Sequence, residues 1–380
     1  MQGASNGPAF FIAKPNASGE LKMNRRHFGK WLATALVSAN TYAHAGRPDK
    51  PVRVAGSAQL AASTPRKLIK PAMLKPGDLV GLIAPSGVME DALIEKGVKN
   101  LESYGFKVKV GANIRAARGG YAGTVAQRID DLHGMFLDKD VKAIWAARGG
   151  SGCSALLPSI HYDLIRANPK VLVGYSDITA LHLAIYRRAR LVTFHGPVAA
   201  SDYLDTTLKH LKSVLFNPDF PYSIPVPSQA EELPGEEFRP FVIRPGRAKG
   251  ALTGGNLSLL SALAGTSYSA SFRGKIVFIE DIGEQPYRLD RMLTQLLQAT
   301  DLAKAAGIAL GVFTDCQPKG DAPSLSLPDA LRDRLSNLGI PVAYGFPFGH
   351  IAHQATLPYG IQAEIDTEKG TLTLLESAVE

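Results

Sequence analysis

From Pro71 onward the chain alternates short apolar runs with amphipathic segments, and this alternation restricts the fold more than any other feature. Asp78–Ala84, Phe106–Val110, Val141–Ala147, Val171–Tyr175 and Leu191–Phe194 read as strands. Between them, Asp91–Tyr104, Thr124–Leu137 and Asp177–Arg188 have helical spacing. Repeated βα units predict a mostly parallel sheet, because a helical crossover is what returns the chain to begin a parallel neighbour. The 380 residues leave room for a second domain. After about Phe216 the pattern breaks into a stretch bounded by Pro218 and Pro245, with five further prolines between them, which predicts a connection at 217–246. Helical spacing at Asn256–Ala264, Asp290–Ala299 and Leu327–Leu338 alternates with strand runs at Lys275–Ile279, Ile308–Phe313 and Pro341–Tyr344. Gln362–Asp366 and Leu372–Leu375 read as a hairpin. The expected organisation is an N-terminal α/β domain at 71–216 and a C-terminal mixed α/β domain at 247–380.

The start of the chain reads differently. Asn24-Arg25-Arg26-His27-Phe28-Gly29-Lys30 resembles a twin-arginine export signal. It precedes a short apolar stretch, Trp31–Ala39, and a small-x-small site at Ala43-His44-Ala45. These three parts in order predict cleavage after Ala45 and export to the periplasm or cell envelope, with no stable membrane insertion afterwards. Met23 offers a second start, which would make 1–22 an extension. Residues 46–70, rich in Pro, Ala, Ser and basic side chains, read as a flexible lead-in. Loss of 1–45 removes five cations (Lys14, Lys22, Arg25, Arg26, Lys30) and one anion (Glu20), lowering the formal net charge from +8 to +4. Nothing in that balance calls for nucleic acid. Cys153 and Cys316 form neither a disulfide framework nor a metal cluster and read as small buried residues. No other cluster has metal-ligand spacing, so no metal or cofactor is expected.

The chemistry centres on Ser176, in Val171-Leu172-Val173-Gly174-Tyr175-Ser176-Asp177, where a buried strand turns into a helix. A hydroxyl there is lifted out of the sheet edge beside the first free N–H groups of the helix, as a nucleophile requires. The competing reading is that Ser176 caps the helix. A serine nucleophile needs a base and a group to orient it. His133, His182 and His210 fall in helices, where packing roles are expected, which leaves His161, His195, His350 and His353 as candidate bases. His350 lies in a Gly- and Pro-bounded loop after a strand, a common mounting for catalytic side chains. Glu280 ends the run Ile276-Val277-Phe278-Ile279, with Asp281 and Glu284 as rival acids.

Four strings, Gly174-Tyr175-Ser176-Asp177, Gly254-Gly255-Asn256-Leu257-Ser258, Phe278-Ile279-Glu280-Asp281 with Pro286-Tyr287-Arg288-Leu289-Asp290-Arg291-Met292-Leu293, and Gly349-His350, together resemble the LD-carboxypeptidase family of serine peptidases, which also contains the microcin C immunity proteins. The resemblance runs from about Pro71 to the C-terminus. It implies a glutamine-amidotransferase-like parallel-sheet domain followed by a mixed α/β domain. It also implies a triad of Ser176 as nucleophile, His350 as base and Glu280 as orienting acid, with the serine on the first domain and the other two on the second. The elbow departs from Gly-x-Ser-x-Gly, since Ile178 stands where the last glycine would be, which argues against an ordinary lipase or esterase.

The backbone N–H groups of Asp177 and Gly150 are the expected oxyanion donors, although Gly149-Gly150 also fits a plain tight turn. Arg148, Arg288 or Arg291 could bind a terminal carboxylate, each with a structural salt bridge as the competing role. The resemblance implies a muropeptide or stem-peptide substrate, cut between an L-centre and a terminal D-amino acid, and leaves a homodimer open. Two alternatives are a hydrolase of peptidyl-nucleotides or other acylated compounds, and a non-catalytic peptidoglycan-binding protein.

Overall fold

The first alternating stretch folds as βα units. The computed structural model describes residues 66–227, 235–320 and 322–380, so the signal-peptide reading and most of the lead-in lie outside the described residues. In chain order come β1 (Leu79–Ile83), α1 (Asp91–Ser103), β2 (Lys107–Val110), α2 (Val125–Leu137), β3 (Val141–Ala146), α3 (Tyr162–Ala167), β4 (Val171–Gly174), α4 (Thr179–Arg188), β5 (Phe194–His195) and α5 (Asp205–Leu215). The strands lie in the order β5-β4-β3-β1-β2, all parallel. β3 and β4 are apolar almost throughout because helices cover both faces of the sheet. Local chemistry sets the ends of some elements. Thr124 accepts from Gln127 N while the Gln127 side chain takes the Thr124 N–H, a reciprocal cap that starts α2.

The second half is β6 (Tyr222–Pro225), β7 (Phe241–Arg244), β8 (Arg247–Asn256), α6 (Leu257–Leu263), β9 (Ile276–Ile282), α7 (Pro286–Ala299), β10 (Gly307–Thr314), α8 (Leu327–Leu335), β11 (Val342–Gly349), β12 (Leu357–Pro358), β13 (Gln362–Asp366) and β14 (Thr371–Leu374). Its eight-stranded sheet runs β6-β14-β13-β8-β9-β10-β11-β7. The centre, β8 to β11, is parallel, and antiparallel strands flank it on both sides. β13 and β14 form the expected hairpin.

Three boundaries differ from expectation. Residues 217–246 are more than a connection: β6 and β7 lie at opposite edges of the second sheet, where a strand tolerates proline because one side needs no ladder partner. β12 leaves the second half and pairs antiparallel with β5, adding a sixth strand to the first sheet. The last residues of the lead-in are also held, since Ile69 bridges Leu191 and Lys70 pairs with Glu376 at 2.8 Å. All described residues belong to one compact unit.

The two halves meet closely at β8. Within the second sheet, Gly254 has φ +149°, and a Cβ there would stand 1.8 Å from Phe278 O of the neighbouring β9. At Gly255 a Cβ would meet Thr179 Cγ2 at 2.5 Å. Only glycine permits this approach. It allows Asn256 N–H to donate to Thr179 Oγ1 at 3.1 Å, which joins the start of α4 to the second sheet. That contact brings the turn after β4 within reach of β9 and β11.

Candidate active site

Ser176 occupies the turn between β4 and α4 with φ +64°, a left-handed conformation that non-glycine residues adopt rarely and at some energetic cost. It opens a single 3-10 turn, Ser176–Ile178, before α4 begins. The capping alternative fails, since neither the 3-10 turn nor α4 has a side-chain cap and the serine hydroxyl points elsewhere. His350 Nε2 lies 3.0 Å from Ser176 Oγ, and His350 Nδ1 lies 2.8 Å from Glu280 Oε2. Serine, imidazole and carboxylate thus form one continuous hydrogen-bonded chain, with the hydroxyl from the first sheet and its partners from the second.

His350 follows directly on β11, whose strand runs on through Phe346-Pro347-Phe348-Gly349 instead of giving way to a loop at Tyr344. A register shift between β10 and β11 accommodates this stretch. Glu280 is wholly buried in β9, and its partner imidazole keeps 15% of its side-chain surface exposed. Burial alone would push the Glu280 carboxyl up. The His350 charge and hydrogen bond, with His195 and Asn256, outweigh that and hold it below the usual carboxylate range. For His350, desolvation pulls the imidazole down, but the Glu280 charge and hydrogen bond, with Asp281 beyond, raise it above its ordinary value. A base must be neutral to accept a proton, so kcat/KM is expected to rise with pH, with a midpoint above the ordinary histidine value of about 6.5. A pH–rate profile checks this; a midpoint well below 6 would contradict it.

The rival acids have other roles. Asp281 accepts from Asn256 Nδ2 at 2.9 Å and from Ser258 N and Oγ at 3.0 and 2.9 Å, tying the first turn of α6 to β9. Burial, with Glu280 alongside, pushes its carboxyl up to about 6. Glu284 forms a salt bridge to Arg288 one helical turn on. Of the other candidate bases, His353 Nδ1 meets Thr206 Oγ1 at 2.7 Å, and His161 packs edge-on against His133. His195 is fully buried behind the site.

Asp177 contributes more than its backbone. Its buried carboxylate accepts from Ser86 Oγ at 2.6 Å and from Cys153 N at 2.9 Å, fastening the loops after β1 and β3 to the elbow. Its own N–H lies at the start of the turn, where helical geometry supplies no acceptor. In the glycine loop, Gly149 is the residue packed on Ser176: a Cβ there would stand 2.9 Å from Ser176 Cβ. Gly150 is exposed and rests against Gly87. Arg148, half-buried beside this loop, donates to Val88 O at 3.3 Å and forms no ion pair among the described residues. Arg288 is committed to Glu284, which is the structural role that competed with carboxylate binding. Arg291 lies over the Tyr287 ring, 5.5 Å from its centroid. The hold of the Asp177 side chain on these two loops was hidden in the sequence, where only its position after the serine carried a signal.

The arrangement suits acyl transfer: an activated hydroxyl, a base with a buried counter-charge, and open N–H groups at a helix start. Comparison with known proteins agrees. Residues 80–196 match the LD-carboxypeptidase N-terminal domain and residues 249–365 the LD-carboxypeptidase C-terminal domain. The chain is 39% identical over 311 residues to the probable murein peptide carboxypeptidase of Bacillus subtilis, covering 80% of this chain and 94% of that protein. It is 34% identical over 301 residues to the murein tetrapeptide carboxypeptidase of Pseudomonas aeruginosa, covering 76% and 92%. Among solved structures, the muramoyltetrapeptide carboxypeptidase from Oxalobacter formigenes superposes with a TM-score of 0.68 at 29% identity, covering 79% of this chain and 99% of that one. With both halves matched and the hydrogen-bonded serine, histidine and glutamate lying where those halves meet, this chain belongs to the LD-carboxypeptidase family.

Proposed function

We propose that this protein is a serine LD-carboxypeptidase that hydrolyses the bond between an L-centre and the terminal D-alanine of peptidoglycan stem tetrapeptides. The observation that carries this reading is the unbroken chain from Ser176 Oγ through His350 to Glu280 in a member of that family. Ser176 Oγ attacks the scissile carbonyl while His350 Nε2 takes its proton, and Glu280 stabilises the imidazolium. The N–H of Asp177, with that of Gly150, supports the oxyanion of the tetrahedral intermediate. Collapse breaks the C–N bond, and His350 returns the proton to the departing D-alanine amine, leaving an acyl ester on Ser176. Water, deprotonated by His350, then cleaves the ester and releases the tripeptide.

Arg148 is the candidate for the terminal carboxylate, because it stands beside the glycine loop without a carboxylate partner among the described residues, whereas Arg288 has one. Incubation with a tetrapeptide muropeptide is expected to yield tripeptide and free D-alanine in equal amounts. Cleavage of a peptidyl-nucleotide with the muropeptide left intact would favour the alternative hydrolase, and hydrolysis of neither would favour a binding protein.

The substrate is a wall component, which accords with the twin-arginine-like segment at Asn24–Lys30 and an envelope location. An Arg25-Arg26→Lys-Lys variant is expected to accumulate in the cytoplasm on fractionation. Unchanged distribution would overturn the export reading.

A further inference from the structure

Behind the triad lies a group of buried polar atoms that the reaction does not use. Among the described residues, nine buried side-chain nitrogens and oxygens lack a hydrogen bond. Three of them, on Asp290, Arg334 and Glu364, belong to ion pairs. The other six are Glu280 Oε1, both ring nitrogens of His195, His182 Nδ1, Thr193 Oγ1 and Thr356 Oγ1; Thr193 and His195 lie on or beside β5, Thr356 beside β12, and His182 and Glu280 stand close enough to the His195 ring to feel its charge. Thr193 lies two residues before His195 and so shares its face of the chain where the backbone is extended. Thr356 adjoins Leu357, the residue that pairs with His195 across the β5–β12 ladder, so its hydroxyl leaves the opposite face and lies beside Gly196. Six orphaned atoms in one place are unusual, since nearly all buried polar groups are satisfied.

His195 is placed to serve Glu280. Its ring packs edge-on against Phe278, with centroids 5.2 Å apart, and against Tyr175 at 5.9 Å. Phe278 precedes Glu280 by two residues in β9, so their side chains leave the same face. Tyr175 in turn packs on the His350 ring at 4.9 Å and directly precedes Ser176. His195 is therefore enclosed by side chains that also touch, or stand beside, all three members of the triad. Asn256 stands beside Glu280 and helps hold its carboxyl down, but its Nδ2 is given to Asp281 at 2.9 Å and Glu280 Oε1 is left without a bond.

We infer that His195 is a positioning residue whose N–H supplies Glu280 Oε1 with its second hydrogen bond across one ordered water, while the other ring nitrogen meets the Thr193 hydroxyl. Burial holds the His195 imidazole down at about 4, with Glu280 opposing, so at working pH it is neutral and carries one N–H. A neutral donor fixes the carboxylate without neutralising it, and this preserves the charge that His350 needs. Fixing Oε1 also fixes Oε2, the atom that receives Nδ1 of His350.

The inference rests on the triad reading, and the experiment keeps the two apart. His195→Phe fills the space without a donor, whereas His195→Gln keeps an N–H. His195→Phe is expected to lose about 10- to 100-fold in kcat on the tetrapeptide, the size of one hydrogen bond to a charged group, with KM within about twofold. His195→Gln is expected to recover most of that loss. In a folded His195→Phe variant, wild-type kcat would overturn the inference, as would an equal loss in both variants. Where His195→Phe does not fold, the ring 15N resonances of His195 are compared between the wild-type chain and Glu280→Gln: a shift supports the bond, and unchanged resonances overturn it. Reaction of Ser176 with a fluorophosphonate tests the underlying reading separately, because failure to label the wild-type serine would overturn the triad itself.

Discussion

Ser176→Ala is expected to lower kcat for D-alanine release by about a million-fold, as removal of the nucleophile does where serine, base and acid act as a unit. The fold should survive. The hydroxyl bonds only to the partly exposed His350, so its loss changes stability by no more than about 1 kcal/mol. The turn itself is held by Asp177, through Ser86 and Cys153, and by the Thr179–Asn256 contact, none of which involves the serine side chain. Residual hydrolysis above the uncatalysed rate would come from the oxyanion donors and substrate positioning. Kinetics and a thermal melt on the same preparation distinguish a lost nucleophile from a lost fold. Near-normal activity in a folded variant would remove Ser176 from the mechanism.

Glu280→Gln is the second large effect, with an expected loss of about 10,000-fold in kcat, the size seen when the acid of such a triad becomes an amide. The carboxylate is fully buried, so no water can replace its charge. An amide at Nδ1 leaves the imidazolium formed during attack without compensation and no longer enforces the tautomer with Nε2 free to accept. The same substitution removes the chief upward influence on His350, and burial then dominates. The sign follows. The midpoint of the residual pH–rate profile should move to lower pH than in the wild-type chain, because the base loses its proton more readily. A midpoint that stays in place or moves upward would contradict the assigned role of Glu280.

How far the sequence reveals this architecture depends on what holds each element together. β3 and β4 are buried on both faces, and a run of apolar residues announces them. β8 is different: Arg247-Ala248-Lys249-Gly250-Ala251-Leu252-Thr253-Gly254-Gly255-Asn256 has three glycines and little strand propensity, yet it forms a ten-residue strand. It is built to let β9 and α4 come close, a tertiary demand that no local pattern displays. β11 was legible only to Tyr344, because Gly345 and Gly349 read as loop signals while a register shift absorbs them. β6 and β7 were concealed among prolines that edge strands tolerate.

The site follows the same division. The turn at Ser176 is a local feature, visible as a buried strand giving way to a helix. Its partners are not local: His350 lies 174 residues from Ser176 and 70 from Glu280, separations that say nothing about distance in the fold. Family motifs supplied those two positions, and the structure brings all three side chains into one hydrogen-bonded chain. Motifs gave no roles to Asn256 and Asp281, whose mutual hydrogen bond appears only when β8 and β9 lie side by side.

The most direct measurement offers the protein two substrates together, a stem tetrapeptide ending in D-alanine and a peptidyl-nucleotide, and follows both by mass spectrometry. The expected outcome is loss of one D-alanine from the tetrapeptide, giving the tripeptide, and none of this in Ser176→Ala. An intact tetrapeptide beside a hydrolysed nucleotide, or equal D-alanine release by both proteins, would contradict it.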